Sequence, residues 1–423
     1  MSLLGLFKTA AVFTRATSTR ALTITTKYPK SSRAAAAVLS IPFVHYGLIS
    51  LSRWRLETPI LKKIEEGTKP ELLPTFITID RPSLEDDLNV LLHPDKEDDK
   101  FGVVIGPSGT GKTAMLRKVF RRRPEGVLYY EVFDPVCFAQ DLGEAAGMIQ
   151  RPEEIIDFVF TYLTQNLYPQ YHVIPSDESA IAYVLDKIGE QAKKFKSKHG
   201  NTPVLVIDGI DLLAKDNKQV FLKVLDRAKF LSNSRTLKVI LVSSEGSVMP
   251  LIQKSPSRSR MAKIVEVVDI PDKEAVRYLS STVPKELAEE IVSVCGGRFI
   301  HLSSAMLEYR SLKKKNIEKI DAQFSSITDF LLTHNVKRDM ESVMTYPPAQ
   351  RKLQKVIMDH LSSTGSISQD QLKKLGADAA IVKKEIEHLV SANLLRYQSD
   401  RSVVFHSRLV QWAMEKNKLE FYV

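Results

Sequence analysis

The sequence predicts an α/β protein: a parallel sheet covered by helices on both faces, followed by an all-α segment and a small C-terminal unit of helices and a hairpin. Three observations carry this. Short aliphatic runs alternate with helical patterns over residues 101–270. The first run, Val103-Val104-Ile105, leads directly into Gly106-Pro107-Ser108-Gly109-Thr110-Gly111-Lys112-Thr113, a complete G-x-x-x-x-G-K-[ST] loop set between a strand and a helix. After Pro271 the aliphatic runs stop and helical patterns take over.

From the N-terminus, residues 1–56 stand apart. They hold Lys8, Arg15, Arg20, Lys27, Lys30, Arg33, Arg53 and Arg55 and no Asp or Glu. Met1–Thr26 is rich in Ser, Thr and Ala, and Leu3, Leu4, Phe7, Ala10 and Ala11 can share one helical face. This is the composition of a mitochondrial presequence, with a disordered basic tail as its rival. Ala34–Ser52 is 19 residues without a charge, just long enough to cross a bilayer core at about 1.5 Å per residue. Ser40, Pro42, His45, Gly47 and Ser50 weaken that membrane reading against an extended targeting region.

Residues 57–100 read as a charged connector and a leading helix, with Ser83 as the N-cap. The core follows over 101–270. Its strands are expected at Gly102–Ile105, Val127–Val132, Val204–Ile207, Val239–Ser243 and Ile264–Val268, and its helices at Ala114–Phe120, Glu153–Leu167, Ser179–Phe195 and Gln219–Phe230. Arg121-Arg122-Arg123 reads either as a solvated helix end or as a site for an anionic partner. Residues 271–345 form a helical lid, with pieces at Lys273–Ser281, Lys285–Val294 and Ile300–Tyr309; Gly296-Gly297 ends one helix and opens the next. Residues 346–423 read as a winged helix: helices at Ala349–Leu361, Gln369–Leu375 and Ala379–Ala392, then a hairpin of Leu394–Tyr397 and Val403–Phe405.

The chemistry concentrates in the loop. Its glycines permit backbone conformations that turn successive N–H groups inward onto phosphate oxygens, and the following helix adds its positive end. Lys112 is placed for the β- and γ-phosphates, and the Thr113 hydroxyl for Mg²⁺. The metal needs a carboxylate as well. Val204-Leu205-Val206-Ile207-Asp208 is a buried strand ending in one, at the sheet edge where ligands of open α/β folds bind. Asp211 either orients the attacking water or caps the next helix.

Composition bounds the alternatives. Of the net charge of +10, all but a residue of about +2 lies in residues 1–56, so bulk charge makes no case for nucleic acid. Two cysteines, Cys137 and Cys295, offer neither a disulfide framework nor a thiolate zinc site. No N-K-x-D signature of guanine readers occurs: Asn217-Lys218 continues with Gln219-Val220, and Asn417-Lys418 with Leu419-Glu420. Adenine is therefore the expected base. The third helix of the last unit carries Lys383 and Lys384 but also Glu385 and Glu387, which favours packing or protein interaction over reading DNA.

Assembled, these parts resemble the AAA+/STAND group of P-loop ATPases within the ASCE division, and most nearly the archaeal-type ATPase family, over about residues 76–413. The resemblance implies binding of ATP with Mg²⁺ and its hydrolysis. Phe76–Arg81 is similar to the family's leading segment near the adenine, with Asp80 in place of Gly. Asp208-Gly209-Ile210-Asp211 resembles the D-G-x-D form of NACHT-type members; motors of the AAA+ group have Glu where this chain has Gly209, which implies slow turnover or a catalytic role for Asp211. Leu241–Ser244 resembles the sensor-1 strand, making Ser243 or Ser244 the residue that feels the γ-phosphate. Gly296-Gly297-Arg298 resembles the lid turn and implies a nucleotide contact for Arg298. Arg258 and Arg260 fall where ring ATPases keep an arginine finger, and equally suit a flexible basic loop. The function expected is a slow ATP-controlled switch or assembly factor, self-associating or binding a protein through lid and winged helix. The alternatives are a DNA-binding ATPase of the origin-recognition or helicase-loader kind, and a mitochondrial, membrane-attached quality-control ATPase.

Overall fold

A computed structural model describes residues 59–69, 79–94, 98–148, 178–244, 248–255, 257, 259, 261–317, 319–368, 371, 379–398 and 402–416. The expected targeting and membrane segments, the helix expected over 153–167, nearly all of that over 369–375, and Arg258 and Arg260 lie outside these residues.

Five strands, β1 (Phe101–Ile105), β2 (Val127–Glu131), β3 (Val204–Asp208), β4 (Lys238–Ser243) and β5 (Met261–Glu266), form one sheet in the order β2-β3-β4-β1-β5. Every pairing is parallel. The register sets Glu131 opposite Asp208, Asp208 opposite Val242, and Ile105 opposite Ser243. All these residues thus gather at one edge, with β4 separating the loop-bearing β1 from the acid-bearing β3. Two strand spacings, about 10 Å, must be bridged between them.

The strand period of two divides the aliphatic residues between the sheet's faces. Val104, Val204, Val206, Ile240 and Val242 pack under α2 (Pro82–Leu92) and α3 (Lys112–Arg122). Val103, Leu205, Ile207, Val239 and Leu241 pack on the opposite face, with α5 (Glu178–His199) and α7 (Lys218–Asn233). Burial on both faces is why these strands read as continuous aliphatic runs rather than as alternating ones.

Several elements differ from expectation. Residues 59–66, expected as a connector, are helical (α1), and Ile60 and Ile64 are fully buried in the second of these cores. Their spacing of four places both on one helix face, a stripe too short to stand out among charged neighbours. Helix α2 opens on Pro82, with Arg81 at the N-cap and Ser83 inside the first turn; proline's fixed φ favours the first helical position. Strand β5 begins three residues earlier than expected and ends at Glu266. Three short helices, α4 (Phe138–Ala145), α6 (Ile210–Asp216) and α8 (Val248–Lys254), escaped the periodicity because none exceeds eight residues. Arg122 bonds Glu85 of α2 at 2.9 Å, so the basic triplet that ends α3 is partly an interhelical tie.

Beyond β5 come α9 (Asp272–Leu279), α10 (Lys285–Cys295), α11 (Phe299–Lys314), α12 (Ile320–Leu332), a π-turn at Thr333–Lys337 and α13 (Arg338–Met344). The C-terminal unit has α14 (Pro348–Thr364), α15 (Ala379–Ser391), an antiparallel hairpin of β6 (Leu395–Tyr397) and β7 (Val403–Phe405), and α16 (Arg408–Glu415). One continuous hydrophobic core runs through both regions, from Ile270 to Met414. Helix α16 was not expected; it lies against α10 and caps this shared core with Leu409, Val410 and Ala413.

The turn between α10 and α11 is fixed by close approach. Gly297 passes so near the chain leaving β5 that a Cβ there would lie 1.8 Å from the Ile270 carbonyl oxygen, and that residue's N–H donates to the Gly297 carbonyl at 3.1 Å. Gly297→Ala should therefore cost about 3 kcal/mol, read by urea denaturation of the full chain; a loss below about 1 kcal/mol would show that the turn relaxes freely.

Candidate nucleotide-binding site

The phosphate-type loop leaves β1 after Ile105 and enters α3 at Lys112. Gly109 and Gly111 take φ of 78° and 90°, in the left-handed region that disfavours side chains. Lys112 is 4 % exposed. Its Nζ donates to the carbonyls of Gly106 at 2.8 Å and Pro107 at 2.9 Å, and so sits inside the curve of the loop. Thr110 Oγ1 braces the same loop by donating to the Pro107 carbonyl at 2.9 Å, while Ser108 is exposed at its tip. Burial lowers the Lys112 pKa to about 8, against the pull of Asp208 and Asp211 and with Arg298 adding to the depression.

The loop meets the carboxylate of β3. Thr113 Oγ1 donates to Asp208 Oδ2 at 2.7 Å, closing the distance across β4. Tyr129 on β2 donates its hydroxyl to the same oxygen at 2.9 Å. Burial and the Asp208 charge push the Tyr129 pKa far up, which keeps the phenol a donor. Beside it, Glu131 accepts from Arg117 Nη2 of α3 at 2.5 Å, and the Arg117 guanidinium lies 5.5 Å from the Tyr129 ring centre. Sequence reasoning missed Tyr129, Glu131 and Arg117. The available signal was the alternation in Val-Leu-Tyr-Tyr-Glu, which sends Tyr129 and Glu131 to one face of β2 at the ligand-binding edge.

The other expected site residues divide. Asp211 lies in the first turn of α6, but its Oδ1 accepts from the Ser244 N–H at 2.9 Å rather than from that helix. It therefore ties the end of β4 to the turn after β3, a second tie beside the Gly209 N–H donating to the Val242 carbonyl at 3.0 Å. Ser243 is buried at the tip of β4, next to Ile105. Arg298 is near the loop, with its Cγ 3.7 Å from where a Gly109 Cβ would stand. Its guanidinium is committed elsewhere: Nε and Nη2 donate to Asp269 at 3.0 and 3.2 Å, and Nη2 and Nη1 engage the His406 carbonyl at 2.6 Å and its Nδ1 at 3.0 Å. Arg81 donates to the Val268 carbonyl at 2.7 Å and reaches the Thr110 carbonyl at 3.5 Å, bracing the loop from α2.

The lid rests on the loop. The Ile300 N–H donates to the Gly109 carbonyl at 3.3 Å. A Cβ at Gly109 would come within 2.4 Å of Ile300, and one at Gly111 within 3.3 Å of Phe299. The first turn of α11 therefore fits the loop only because these positions carry no side chain.

A strand, a Gly-rich loop closing on a buried lysine, and a hydroxyl paired with a carboxylate two strands away are now in place, and the family comparison agrees with them. The model of the AAA domain matches residues 95–248. That stretch is an AAA domain. No curated protein matches the chain in sequence. Among solved structures, the Walker-type ATPase of Pyrococcus abyssi is 16% identical, with a TM-score of 0.52, over 80% of this chain and 96% of its own. The ORC2 protein of Aeropyrum pernix is 11% identical (TM-score 0.45) over 84% and 98%, and Cdc6p from Pyrobaculum aerophilum 12% identical (TM-score 0.41) over 82% and 98%. At 16% identity the first likeness shows a shared fold.

The AAA domain's donor set fits Mg²⁺. Thr113 and Asp208 offer adjacent hard oxygens, and no group of three or more His, Cys, Asp or Glu able to hold a metal occurs among the described residues. Mg²⁺ suits such a site, since it is commonly held by one or two protein oxygens together with phosphates and water.

The depressed Lys112 pKa makes binding of an anion pH-dependent. Lys112 loses its proton above about pH 8 in the free protein, whereas a bound phosphate favours the ammonium. Phosphate-ligand affinity should therefore fall from about pH 8 upward, by at most about tenfold per pH unit, with proton uptake on binding. Calorimetry of ATP binding at pH 9 in buffers of different ionisation enthalpy reads that uptake directly; none would show that Lys112 stays charged.

Proposed function

We propose that the protein is a slow, Mg²⁺-dependent ATPase that works as a nucleotide-controlled switch, its lid and C-terminal winged helix carrying the state of the AAA domain to a partner or a second copy of the chain. The observation that carries this is the Thr113–Asp208 hydrogen bond at 2.7 Å beside a loop that encloses Lys112. Lys112 and the loop N–H groups are the phosphate ligands in this reading. Mg²⁺, held by Thr113 and Asp208, would offset charge on the β- and γ-phosphate oxygens. Slow turnover follows from the surrounding carboxylates. Gly209 stands directly after Asp208, Asp211 is engaged by the Ser244 N–H, and Glu131 is held by Arg117. Communication follows from the seating of Phe299 and Ile300 on the loop, which makes the lid sensitive to what the loop holds. Full-length protein should bind ATP with Mg²⁺, and Lys112→Ala should weaken binding by about 10- to 100-fold, the equivalent of a charged hydrogen bond; unchanged affinity in that variant would refute the assignment.

Contact with DNA is a second reading, favoured by one observation. Glu385 is 1 % exposed and faces inward to Gln350, Gln354 and His388, so it does not offset Lys383 and Lys384, which are exposed. The outer face of α15 is thus more basic than the sequence suggests. Salt-dependent binding to duplex DNA, lost with Lys383→Ala and Lys384→Ala, supports this reading; its absence at low salt removes it.

The composition of residues 1–56 supports a mitochondrial location, with residues 34–52 as a membrane attachment. Among the described residues no helix is long and apolar enough to cross a membrane. A reporter fused to residues 1–56 should be imported and cleaved; a cytosolic, uncleaved reporter rules this out.

A further inference from the structure

The hairpin of the C-terminal unit and the phosphate loop line one small cleft. Gly106, Pro107 and Ser244 line it together with Arg396 and His406 of the C-terminal unit and with Glu266 at the end of β5. Gly106 and Pro107 are also the residues whose carbonyls receive Lys112 Nζ. The cleft therefore adjoins the part of the loop where the lysine meets the β- and γ-phosphates, at the far end of a nucleotide from its base.

Two arginines approach this end, and they differ in commitment. Arg298 spends its donors on Asp269 and His406. Arg396 has one ion-pair partner among the described residues, Glu266, with Nη1 and Oε1 3.7 Å apart. That separation is beyond hydrogen-bonding distance. Its Nε is buried and has no hydrogen-bond partner among the described residues, an arrangement that costs stability unless another state supplies an acceptor. Burial and the nearby Arg298 charge also lower the Arg396 pKa, against the pull of Glu266, so an added anion would relieve the site. A guanidinium fork matches the oxygens of a phosphate, which it can engage with two parallel hydrogen bonds.

We propose that Arg396 is the residue that recognises the third phosphate of a bound nucleoside triphosphate. With ATP in the loop it leaves Glu266 and donates to γ-phosphate oxygens across the cleft, drawing the β6–β7 hairpin toward the AAA domain. With ADP it returns to Glu266. The proposal rests on the nucleotide reading above and adds to it how the C-terminal unit distinguishes the two states. By linkage, whatever holds the hairpin against the loop must also tighten ATP.

The test is calorimetric titration of the full chain with Mg²⁺ and either ATP or ADP. Arg396→Gln should weaken ATP on the order of tenfold, as loss of a charged, bidentate contact does, and leave ADP binding as in the unchanged protein. Lys112→Ala should weaken both nucleotides. Unchanged ATP affinity in Arg396→Gln overturns the proposal, and so does an equal loss for ATP and ADP. Unchanged binding in Lys112→Ala overturns the nucleotide reading itself, a separate outcome. Should Arg396→Gln fail to fold, Glu266→Gln takes its place: freeing Arg396 should tighten ATP relative to ADP, and Arg396→Lys in that background should reverse much of the gain. A gain that survives the second change assigns it to the lost carboxylate charge and overturns the role of Arg396.

Discussion

Arg298 places a full positive charge at a point 1 % exposed, where the chain leaving β5, the first turn of α11 and the segment between β7 and α16 converge. A buried charge is tolerated only when paired and hydrogen-bonded. Here both oxygens of Asp269 and the His406 carbonyl and ring satisfy it. Losing the guanidinium would leave the Asp269 carboxylate, which is partly open to solvent, to be satisfied by water. The same charge shapes its neighbours. His301, already disfavoured as a cation by burial, is pushed by Arg298 down to about 4, and His406 is lowered in the same manner. The interior beside the loop therefore holds neutral imidazoles at ordinary pH, leaving its positive charge to Arg298, Arg396 and Lys112.

How much of this was legible in the sequence depends on how local each interaction is. The loop, its lysine and the aliphatic strand ending in Asp208 are contiguous patterns, and they could be read directly. The meeting of Thr113 with Asp208 was inferable because the two motifs both belong at the carboxyl edge of a parallel sheet. Asp211 was open to two readings since its partner, the Ser244 N–H, comes from just beyond β4, and strand order is invisible in one sequence. The burial of Glu385 was hidden for a similar reason: Gln350 and Gln354 lie on α14, more than thirty residues upstream. The lid motif pointed Arg298 at a nucleotide, whereas the groups that occupy it, Asp269 and His406, lie 29 and 108 residues away in sequence.

The shared core from Ile270 to Met414 changes how the C-terminal half should be pictured. A sequence division into lid and terminal unit suggests two bodies joined by a hinge. Their buried residues instead form one cluster, and Arg408 of α16 joins Asp272 at the start of α9 at 2.8 Å. Such a unit moves more readily as a whole than by flexing at its middle. Among the described residues, its attachments to the sheet and loop include the polar pairs Arg298 with Asp269 and Arg396 with Glu266, beside the seating of α11 on the loop. Polar contacts of this kind exchange partners at lower cost than interdigitated apolar side chains do.

The tips of β3 and β4 illustrate a different mechanical property. Two ties, from the Gly209 N–H to Val242 and from the Ser244 N–H to Asp211, stitch the strand ends just beyond the regular ladder. Through that second tie the residue after β4 is anchored directly to the first turn of α6.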